Sequence, residues 1–275
     1  MNRTAKPAPF VLAATGHGSM IVSVNDYRPA SGAEPEAPGE GLRLLKSSLS
    51  EPDTLDLMLA LLDLRARHFG PGVVAIDGGA GIGAQTIEWA RHMTGWGKVV
   101  AFEPQERLYY ALCGNIALNN VFNAGAVNAA LGGMTGFIDV PAVDPTAPAL
   151  LGGLELRKTP RTPPIGQPVE YGGAPNYVVN LLTIDGLECE RLDLARLDIG
   201  GMELEALRAA TTTLKTCRPI LFLSKGRARA GALEEALTEA GYTSLLIGGH
   251  ILAAHGEDPG LDEIAGLAEA ATLPG

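Results

Sequence analysis

One glycine-rich turn in the chain has residues that could bind a negatively charged group and a neighbouring positively charged group of a ligand. Residues 73–83 read VVAIDGGAGIG, an apolar run that leads through Asp77 into a turn with Gly79, Gly81 and Gly83. Glycine permits a positive φ and close backbone approach, and the free N–H groups at the start of the following helix bind carboxylates. The Asp77 carboxylate suits an ammonium group. The sequence therefore predicts a site for a ligand that carries an ammonium group next to a carboxylate.

A second acidic residue, Glu103, follows Gly83 by twenty residues and ends the apolar run KVVAF. A carboxylate at this place can accept hydrogen bonds from both hydroxyls of a ribose. An amino acid end and a ribose together match S-adenosylmethionine, which we expect as the cofactor. Asn128 and Ala129, at the end of the third predicted strand, are candidates for contact with its adenine, although turn chemistry explains Asn128 equally well.

The first alternative ligand is NAD, bound by an oxidoreductase. Dinucleotide-binding turns have the spacing G-x-G-x-x-G, and the last spacing here is shorter. The pyrophosphate of a dinucleotide would lie close to this turn, where the Asp77 carboxylate would repel it. We therefore expect S-adenosylmethionine rather than NAD. A purely structural explanation is that the glycines serve only a tight turn.

Short apolar runs typical of β-strands alternate with helical patterns along most of the chain. Such alternation predicts βαβ units, hence an α/β fold with a doubly wound, mostly parallel seven-stranded sheet of the Rossmann-like kind. Ligands of such folds bind at the carboxyl ends of the strands. The predicted strands cover 73–77, 98–103, 126–131, 177–185, 196–199, 219–224, 243–248 and 250–255. The predicted helices cover 52–69, 84–93, 105–119, 203–215 and 232–240.

The composition of the segments predicts one domain with extensions. Residues 46–256 form the predicted domain, preceded by an N-terminal extension, 1–45, whose Pro, Gly and Ala content indicates little regular structure. A Pro- and Gly-rich insertion over 139–176 interrupts the α/β pattern, and loops of this length in a domain are often lids. A C-terminal tail, 257–275, has one weak helical pattern.

The overall charge and the cysteines restrict the partners and the compartment. A formal net charge of −10, from 21 basic and 31 acidic residues, would repel a nucleic acid backbone, so we expect a small-molecule acceptor. The three cysteines lack CxxC spacing, which predicts no metal site and a reducing, cytoplasmic location. No apolar run approaches the ~20 residues of a membrane span. The sequence does not determine the oligomeric state.

The order of the motifs resembles that of the FkbM-type methyltransferases, from about Leu49 to His255. The resemblance lies in IDGGAGIG, AFEP, NIALNN, NAALGG, LTIDGL, RLDIGGMELEAL and RPILFL. It implies a class I methyltransferase fold and methyl transfer from S-adenosylmethionine to a hydroxyl group, typically on a sugar or other small molecule.

Two positions depart from the pattern of that family. The usual segment K-x-D-x-E-G-x-E is RLDIGGME at 196–203, so that Gly200 replaces a carboxylate, and Ser224 replaces the acidic residue that usually ends the next strand. Asp198 and Glu203 remain as catalytic candidates, Asp198 to orient or deprotonate the acceptor and Glu203 in a secondary role. Because a general base contributes about 10²–10⁴-fold and positioning more, the loss need not abolish transfer. The alternative is a catalytically weakened S-adenosylmethionine-binding or interaction protein.

Overall fold

Strands and helices alternate regularly from residue 73 to residue 127 in the computed structural model, which describes residues 8–30, 37–173, 175–225 and 230–272. The strands are β1 (Phe10–Thr15), β2 (Gly18–Ser23), β3 (Tyr27–Arg28), β4 (Ala37–Pro38), β5 (Val73–Gly78), β6 (Gly97–Phe102), β7 (Ala124–Val127), β8 (Ala129–Leu131), β9 (Gly136–Val140), β10 (Tyr177–Leu182), β11 (Leu194–Leu197), β12 (Ile220–Ser224), β13 (Tyr242–Ile247) and β14 (His250–His255). The helices are α1 (Glu40–Ser47), α2 (Pro52–Phe69), α3 (Ala84–His92), α4 (Glu106–Leu118), α5 (Glu203–Arg208), α6 (Thr211–Thr216), α7 (Ala230–Glu239) and α8 (Leu261–Thr272). Short 3₁₀ turns occur at Leu151–Gly153 and Asp185–Leu187.

A seven-stranded sheet with the order β13-β14-β12-β11-β5-β6-β7 forms the centre of the fold. The five strands from β12 to β7 are parallel, and β14 runs antiparallel to both of its neighbours. This arrangement confirms the predicted doubly wound, mostly parallel sheet. The chain order reverses between β5 and β11, and crevices at such switch points are where open α/β sheets bind ligands.

The two strands at the switch point are buried along their whole length. All six residues of β5 and all four of β11 are shielded from solvent. Their apolar runs read as strands covered on both faces, as parallel sheets require. Helices α2 and α3 supply part of the cover, through Met58, Leu61 and Trp89, each with no exposed surface. The ends of β5 and β11 are therefore held firmly beside each other.

The single strand predicted over 126–131 is wrong in detail, because the chain forms two strands there. Asn128 separates β7, in the main sheet, from β8, which lies in a second sheet of order β8-β10-β9. The strand predicted over 177–185 is β10 and belongs to this second sheet, where it pairs with β9 and β8. The insertion thus lies between β9 and β10, which are adjacent antiparallel strands. Local composition cannot predict this arrangement, because it depends on the pairing of distant segments.

The single helix predicted over 203–215 is also wrong, because it is broken into α5 and α6. The Asp185 carboxylate accepts hydrogen bonds from the backbone N–H groups of Thr212, at 2.9 Å, and Thr213, at 2.8 Å. These N–H groups belong to the first turn of α6, so a carboxylate from a distant turn caps a new helix there. The helix break is a tertiary effect.

The expectation of little regular structure in residues 1–45 is wrong for the described part. Strands β1 and β2 form a hairpin whose Met20 and Val22 have no exposed surface, and the backbone N–H of Ile21 donates to Asn115 on α4. Residues 1–7 and 31–36 of the predicted extension, position 174 of the insertion and 273–275 of the tail lie outside the described residues. The tail contains α8, which packs on α2. The division at 45/46 and 256/257 stays a prediction.

Candidate functional site

The glycine turn lies at the carboxyl end of β5, as predicted. Gly79, Gly81 and Gly83 have φ values of 76°, 57° and 92°, in the region that favours glycine. The backbone N–H groups of Gly79 and Ala80 donate to the carbonyl oxygen of Phe102, at 2.9 and 3.0 Å. The turn is therefore fastened to the end of β6, and it leads directly into α3.

Asp77 is fully enclosed beneath this turn. Its side chain has no exposed surface, and its two oxygens accept hydrogen bonds from Thr86 Oγ1, at 2.6 Å, and Arg196 Nη1, at 3.0 Å. Asp77 and Arg196 are register partners on β5 and β11. The carboxylate thus neutralises a buried arginine. Its expected contact with the ammonium group of a ligand stays a prediction.

Glu103 lies directly after β6, beside the turn. Its Oε2 accepts the N–H of Gly81 at 2.9 Å, and its Oε1 accepts the N–H of Gln105 at 2.8 Å. Burial raises the pKa of Glu103 to about 8, an effect that these two hydrogen bonds oppose. Each oxygen has a second lone pair available to a hydroxyl donor.

Glu103 borders a small inner cavity of about 70 Å³. Its other walls are Gly79, Gly81, Phe102, Pro104, Gln105, Leu108, Ala129, Ala130, Leu131, Gly152, Leu154, Leu156, Asp198, Ile199, Gly200 and Met202. Small-molecule sites commonly enclose about 300–1,000 Å³, so the inner cavity is narrow for a nucleoside. Residues Leu154 and Leu156 of the insertion, both buried, form part of its wall.

The two predicted adenine contacts lie in different surroundings. Ala129 is buried and lines the inner cavity. Asn128 instead donates its side-chain amide to the carbonyl oxygens of Glu103, at 2.9 Å, and Pro104, at 3.3 Å. These bonds hold the end of β6 against the start of β8, which is the turn role that the sequence allowed. Contact of Asn128 with adenine stays a prediction.

A wider outer cavity of about 370 Å³ shares Gly79 and Gly81 of the glycine turn with the inner cavity. It is lined by the turn, the start of α1, Glu51, Gln85, Arg196 and Asp198. Asp198 borders both cavities, its side chain is 38% exposed, and its Oδ2 lies 3.3 Å from Arg196 Nη2. Asp198 is thus the one predicted catalytic residue that is both fixed by an ion pair and open to a ligand.

Glu203, the second predicted catalytic residue, faces inward. It is 4% exposed, and its Oε1 accepts the N–H groups of Ile199, at 3.0 Å, and Gly201, at 3.2 Å. Burial raises the pKa of Glu203. The carboxylate therefore organises the turn that follows Asp198. That geometry favours a positioning role for Glu203.

The insertion occupies the space next to Gly200, where the family pattern has a carboxylate. Gly200 has a φ of 64°, and a Cβ there would lie 2.8 Å from the carbonyl oxygen of Leu154. Any larger residue would strain the turn and push the insertion away. Ser224, the other departure, ends β12 half-buried, opposite His250 on β14.

Three site residues had no clear signal in the sequence: Asp26, Glu40 and Gln85. Asp26 is buried, and its oxygens accept the N–H groups of Gly41, at 2.9 Å, and Leu151, at 2.9 Å, so it joins the start of α1 to the insertion. Glu40 and Gln85 line the outer cavity. The role of Arg196 could have been inferred from its place in the RLD motif, since it stands where the family has a lysine.

The described ranges contain no candidate for a metal site or for a membrane segment. No group of three or more His, Cys, Asp or Glu residues there could hold a metal ion. None of the helices formed by the described residues combines the length and the apolar composition that a membrane span requires. Cys113, Cys189 and Cys217 are free and half-buried.

Comparisons with known proteins identify similarities at the level of family and fold. The model of the methyltransferase FkbM domain matches residues 77–244, more than half of the chain. A methyltransferase FkbM from Methylobacillus flagellatus KT has a TM-score of 0.46 and 16% identity over 67% of this chain; the match spans only 44% of that protein's chain. No curated protein matches the sequence.

Two further solved structures show similar overlap. A precorrin-6y C5,15-methyltransferase from Geobacter metallireducens GS-15 has a TM-score of 0.44 and 15% identity, covering 76% of this chain and 90% of its own. The N-terminal domain of human METTL16, solved in complex with SAH, has a TM-score of 0.41 and 16% identity, covering 76% of this chain and 72% of its own.

Proposed function

Because the chain belongs to the FkbM family of methyltransferases, we propose that it transfers a methyl group from S-adenosylmethionine to a hydroxyl group of a small molecule, such as a sugar. The observation that carries this proposal is the position of Asp198. Its carboxylate borders both the inner cavity and the wider outer cavity. The inner cavity is also lined by Glu103, the proposed hydrogen-bond acceptor for the ribose hydroxyls. A group at the boundary of the two cavities can contact an acceptor hydroxyl beside a cofactor that spans both of them.

The residues around the inner cavity suit the nucleoside end of this cofactor. Glu103 presents carboxylate oxygens to two hydroxyl donors, and Ala129 leaves room for a flat ring beside apolar Phe102 and Leu108. Asn128 would contact the adenine only by its amide oxygen, since its N–H₂ group is bonded to the backbone. Entry of the nucleoside requires Leu154 and Leu156 to move, so we propose that the insertion acts as a lid.

The residues around the outer cavity suit the amino acid end. The turn that contains Gly79, Gly81 and Gly83 supplies backbone groups at the start of α3, where a helix favours negative charge. Three polar atoms of residues that line this cavity have no partner within the described part of the chain: the Oε1 of Gln85 and the Nε atoms of Arg43 and Arg196. Gln85 and Arg196 are each only 7% exposed. Buried polar groups are normally paired, so these atoms favour a polar ligand here.

When bound, S-adenosylmethionine supplies a methyl group that is electrophilic because its sulfur is positively charged. The chain supplies the remaining requirements. Asp198 accepts the proton of the acceptor hydroxyl, or orients that hydroxyl, and Arg196 fixes the Asp198 carboxylate. Glu203 holds the turn behind it. The net charge of −10 favours a small neutral or cationic acceptor over nucleic acid. We also propose a cytoplasmic location, which the three cysteines without CxxC spacing favour.

The second proposal is a protein that binds the cofactor but transfers methyl groups poorly. It is supported by Gly200, whose neighbourhood is taken by the backbone of Leu154. Restoration of a glutamate at position 200 would displace the insertion, so it would not be a clean test. Ser224→Glu is the better variant, since Ser224 is half-buried at a strand end. A gain of transfer in that variant would support the weakened-enzyme hypothesis.

The direct test is methyl transfer from labelled S-adenosylmethionine to a panel of hydroxylated acceptors. Binding of S-adenosylhomocysteine is measured in parallel by thermal shift, where a ligand at 100 times its Kd stabilises by about 2.7 kcal/mol. Binding with transfer supports the first proposal. Binding without transfer to any acceptor favours the second, whereas tight NAD binding without S-adenosylhomocysteine binding would contradict both.

A further inference from the structure

We propose that Glu40, from the N-terminal part of the chain, holds the ammonium group of the cofactor, and that Gln85 is the second acceptor for this group. The inference rests on the proposed function, because it names the residues that would bind one end of S-adenosylmethionine. It differs from the sequence prediction, which gives this role to Asp77.

Glu40 lies against the glycine turn although it is the first residue of α1. Its Oε2 lies 3.3 Å from the backbone N of Ile82 and accepts the hydrogen bond. A Cβ on Gly81 would lie 2.8 Å from the same oxygen, so glycine is needed at position 81 for Glu40 to approach. The carboxylate thus stands at the place where the turn meets the outer cavity.

Asp77 has no comparable access to a ligand. Its two oxygens are engaged by Thr86 and Arg196, and it has no exposed surface. A new contact with an ammonium group would require the loss of a buried hydrogen bond or ion pair, which is costly. Glu40, in contrast, has one backbone donor on Oε2 and is only partly buried.

Gln85 provides an independent observation that points to a ligand. It lies on the first turn of α3, lines the outer cavity and is 93% shielded from solvent, yet its Oε1 has no hydrogen-bond donor within the described residues. An amide oxygen is an acceptor, as an ammonium group requires. The unpaired Nε of Arg196, a donor on the same cavity, suits the ligand's carboxylate.

The charges around the outer cavity favour a cation. Four carboxylates line it and two arginines oppose them: Asp26, Glu40, Glu51 and Asp198 against Arg43 and Arg196. The pKa of Glu40 is raised to about 7, mainly by burial; the N–H of Ile82 and Arg196 oppose the rise, and Asp26 and Glu51 add to it. A cation placed beside Glu40 would offset this crowding of negative charge, which is the general effect of an opposite charge within a few ångströms.

The start of α1 is held in position by a buried carboxylate. Asp26 accepts the N–H of Gly41 at 2.9 Å, and the carbonyl oxygen of Asp26 accepts the N–H of Gly39 at 2.9 Å. These two bonds fix the residues on each side of Glu40. The N-terminal part of the chain is therefore a built component of the cofactor site.

The test compares the Kd values of two ligands, S-adenosylhomocysteine and its analogue that lacks the amino group, by titration calorimetry. In Glu40→Gln the charge is lost, but an oxygen remains for the N–H of Ile82. We expect about 10–100-fold weaker binding of S-adenosylhomocysteine and unchanged binding of the deaminated analogue. Gln85→Met, which removes only a neutral acceptor, is expected to weaken S-adenosylhomocysteine alone by a smaller factor. Glu235→Gln, exposed on α7, is the matched control.

The outcomes separate the inference from the proposed function. If Glu40→Gln binds S-adenosylhomocysteine as the native protein does, or more tightly, Glu40 does not hold the ammonium group. An equal loss for both ligands also overturns the inference, since it indicates a structural effect. If the native protein binds neither ligand, the proposed function fails as well.

Discussion

Strand β11 has a cluster of arginine and aspartate residues at each end, and the two clusters differ in access. The closed cluster contains Arg65, Asp193 and Asp258, with side chains that are 4%, 3% and 2% exposed. Asp193 Oδ2 accepts the N–H of Val74 at 2.9 Å and Arg191 Nε at 2.8 Å, and Arg65 is bonded to Asp258. The charged groups of the closed cluster are therefore paired with one another and with other groups of the chain, and they are shielded from solvent.

The open cluster contains Asp77, Arg196 and Asp198, at the carboxyl end of the same strand. Asp77 is as enclosed as the residues of the closed cluster, but the side chain of Asp198 is 38% exposed and faces both cavities. The residue types are the same at the two ends. The difference arises because ligand crevices of open α/β sheets lie at the carboxyl ends of the strands. Charged side chains of the same types can act on a ligand only where the fold leaves them accessible to it.

The largest expected effect is on catalysis at the open cluster. In Asp198→Ala we expect methyl transfer to fall by about 10²–10⁴-fold, because the proposed general base is lost. The Kd of S-adenosylhomocysteine should change little, and Asp77 still pairs with Arg196. Single-turnover transfer with labelled cofactor and an accepted substrate gives the rate. An undiminished rate would remove Asp198 from the mechanism.

The next effect is on stability at the closed cluster. Asp193→Ala should lower the free energy of unfolding by about 3–5 kcal/mol, because it removes one of the two carboxylates that pair with the buried Arg65 and leaves the N–H of Val74 without its acceptor. Urea unfolding measures the change, and Asp56→Ala, exposed on α2, should stay within about 0.5 kcal/mol of the native protein. Folded Asp193→Ala should bind S-adenosylhomocysteine normally; weakened binding would contradict the division of the two clusters.

A smaller effect is expected on ligand affinity beside the open cluster. Glu103→Ala should weaken the binding of S-adenosylhomocysteine by about 10–100-fold and erase its thermal shift at ordinary concentrations, because the ribose loses the side chain that accepts its hydroxyl hydrogen bonds. Since Glu103 also accepts the N–H of Gly81, Glu103→Gln separates the two roles. The amide retains an acceptor oxygen for the turn but no charge. Full affinity in Glu103→Ala would show that our ribose assignment is wrong.

The last effect, the smallest for each step of the measurement, is a gradual dependence of stability on pH. Burial raises the pKa of Glu103 to about 8 and that of Glu40 to about 7, from the ordinary value of 4.5 for a glutamate. Between pH 4.5 and the raised pKa values, the folded chain binds more protons than the unfolded chain. The free energy of unfolding therefore falls as pH rises, by at most about 1.4 kcal/mol per pH unit for each proton. Urea unfolding from pH 5 to pH 8 measures the slope. Glu103→Gln should flatten it above pH 7, and an unchanged slope there would contradict the assignment.

Local physics was sufficient to predict much of the fold. The glycine turn, β5, β6 and α2 to α4 lie close to their predicted positions, because positive φ values and hydrophobic periodicity are properties of short segments. The resemblance to the FkbM family likewise rests on short motifs in a fixed order. Contacts between segments that are distant in sequence cannot be predicted from such short patterns, so the second sheet and the break between α5 and α6 were missed.

The sequence by itself determined the sheet, the turn and the residue types that can bind a nucleoside and an amino acid. Only the tertiary structure decided which carboxylate faces which cavity. Asp77, adjacent to the turn in sequence, is enclosed by Arg196, whereas Glu40, distant in sequence, reaches Ile82. The physical reason is that access to a ligand depends on what else packs against a side chain. That packing involves β11, α1 and the insertion, which only folding brings together.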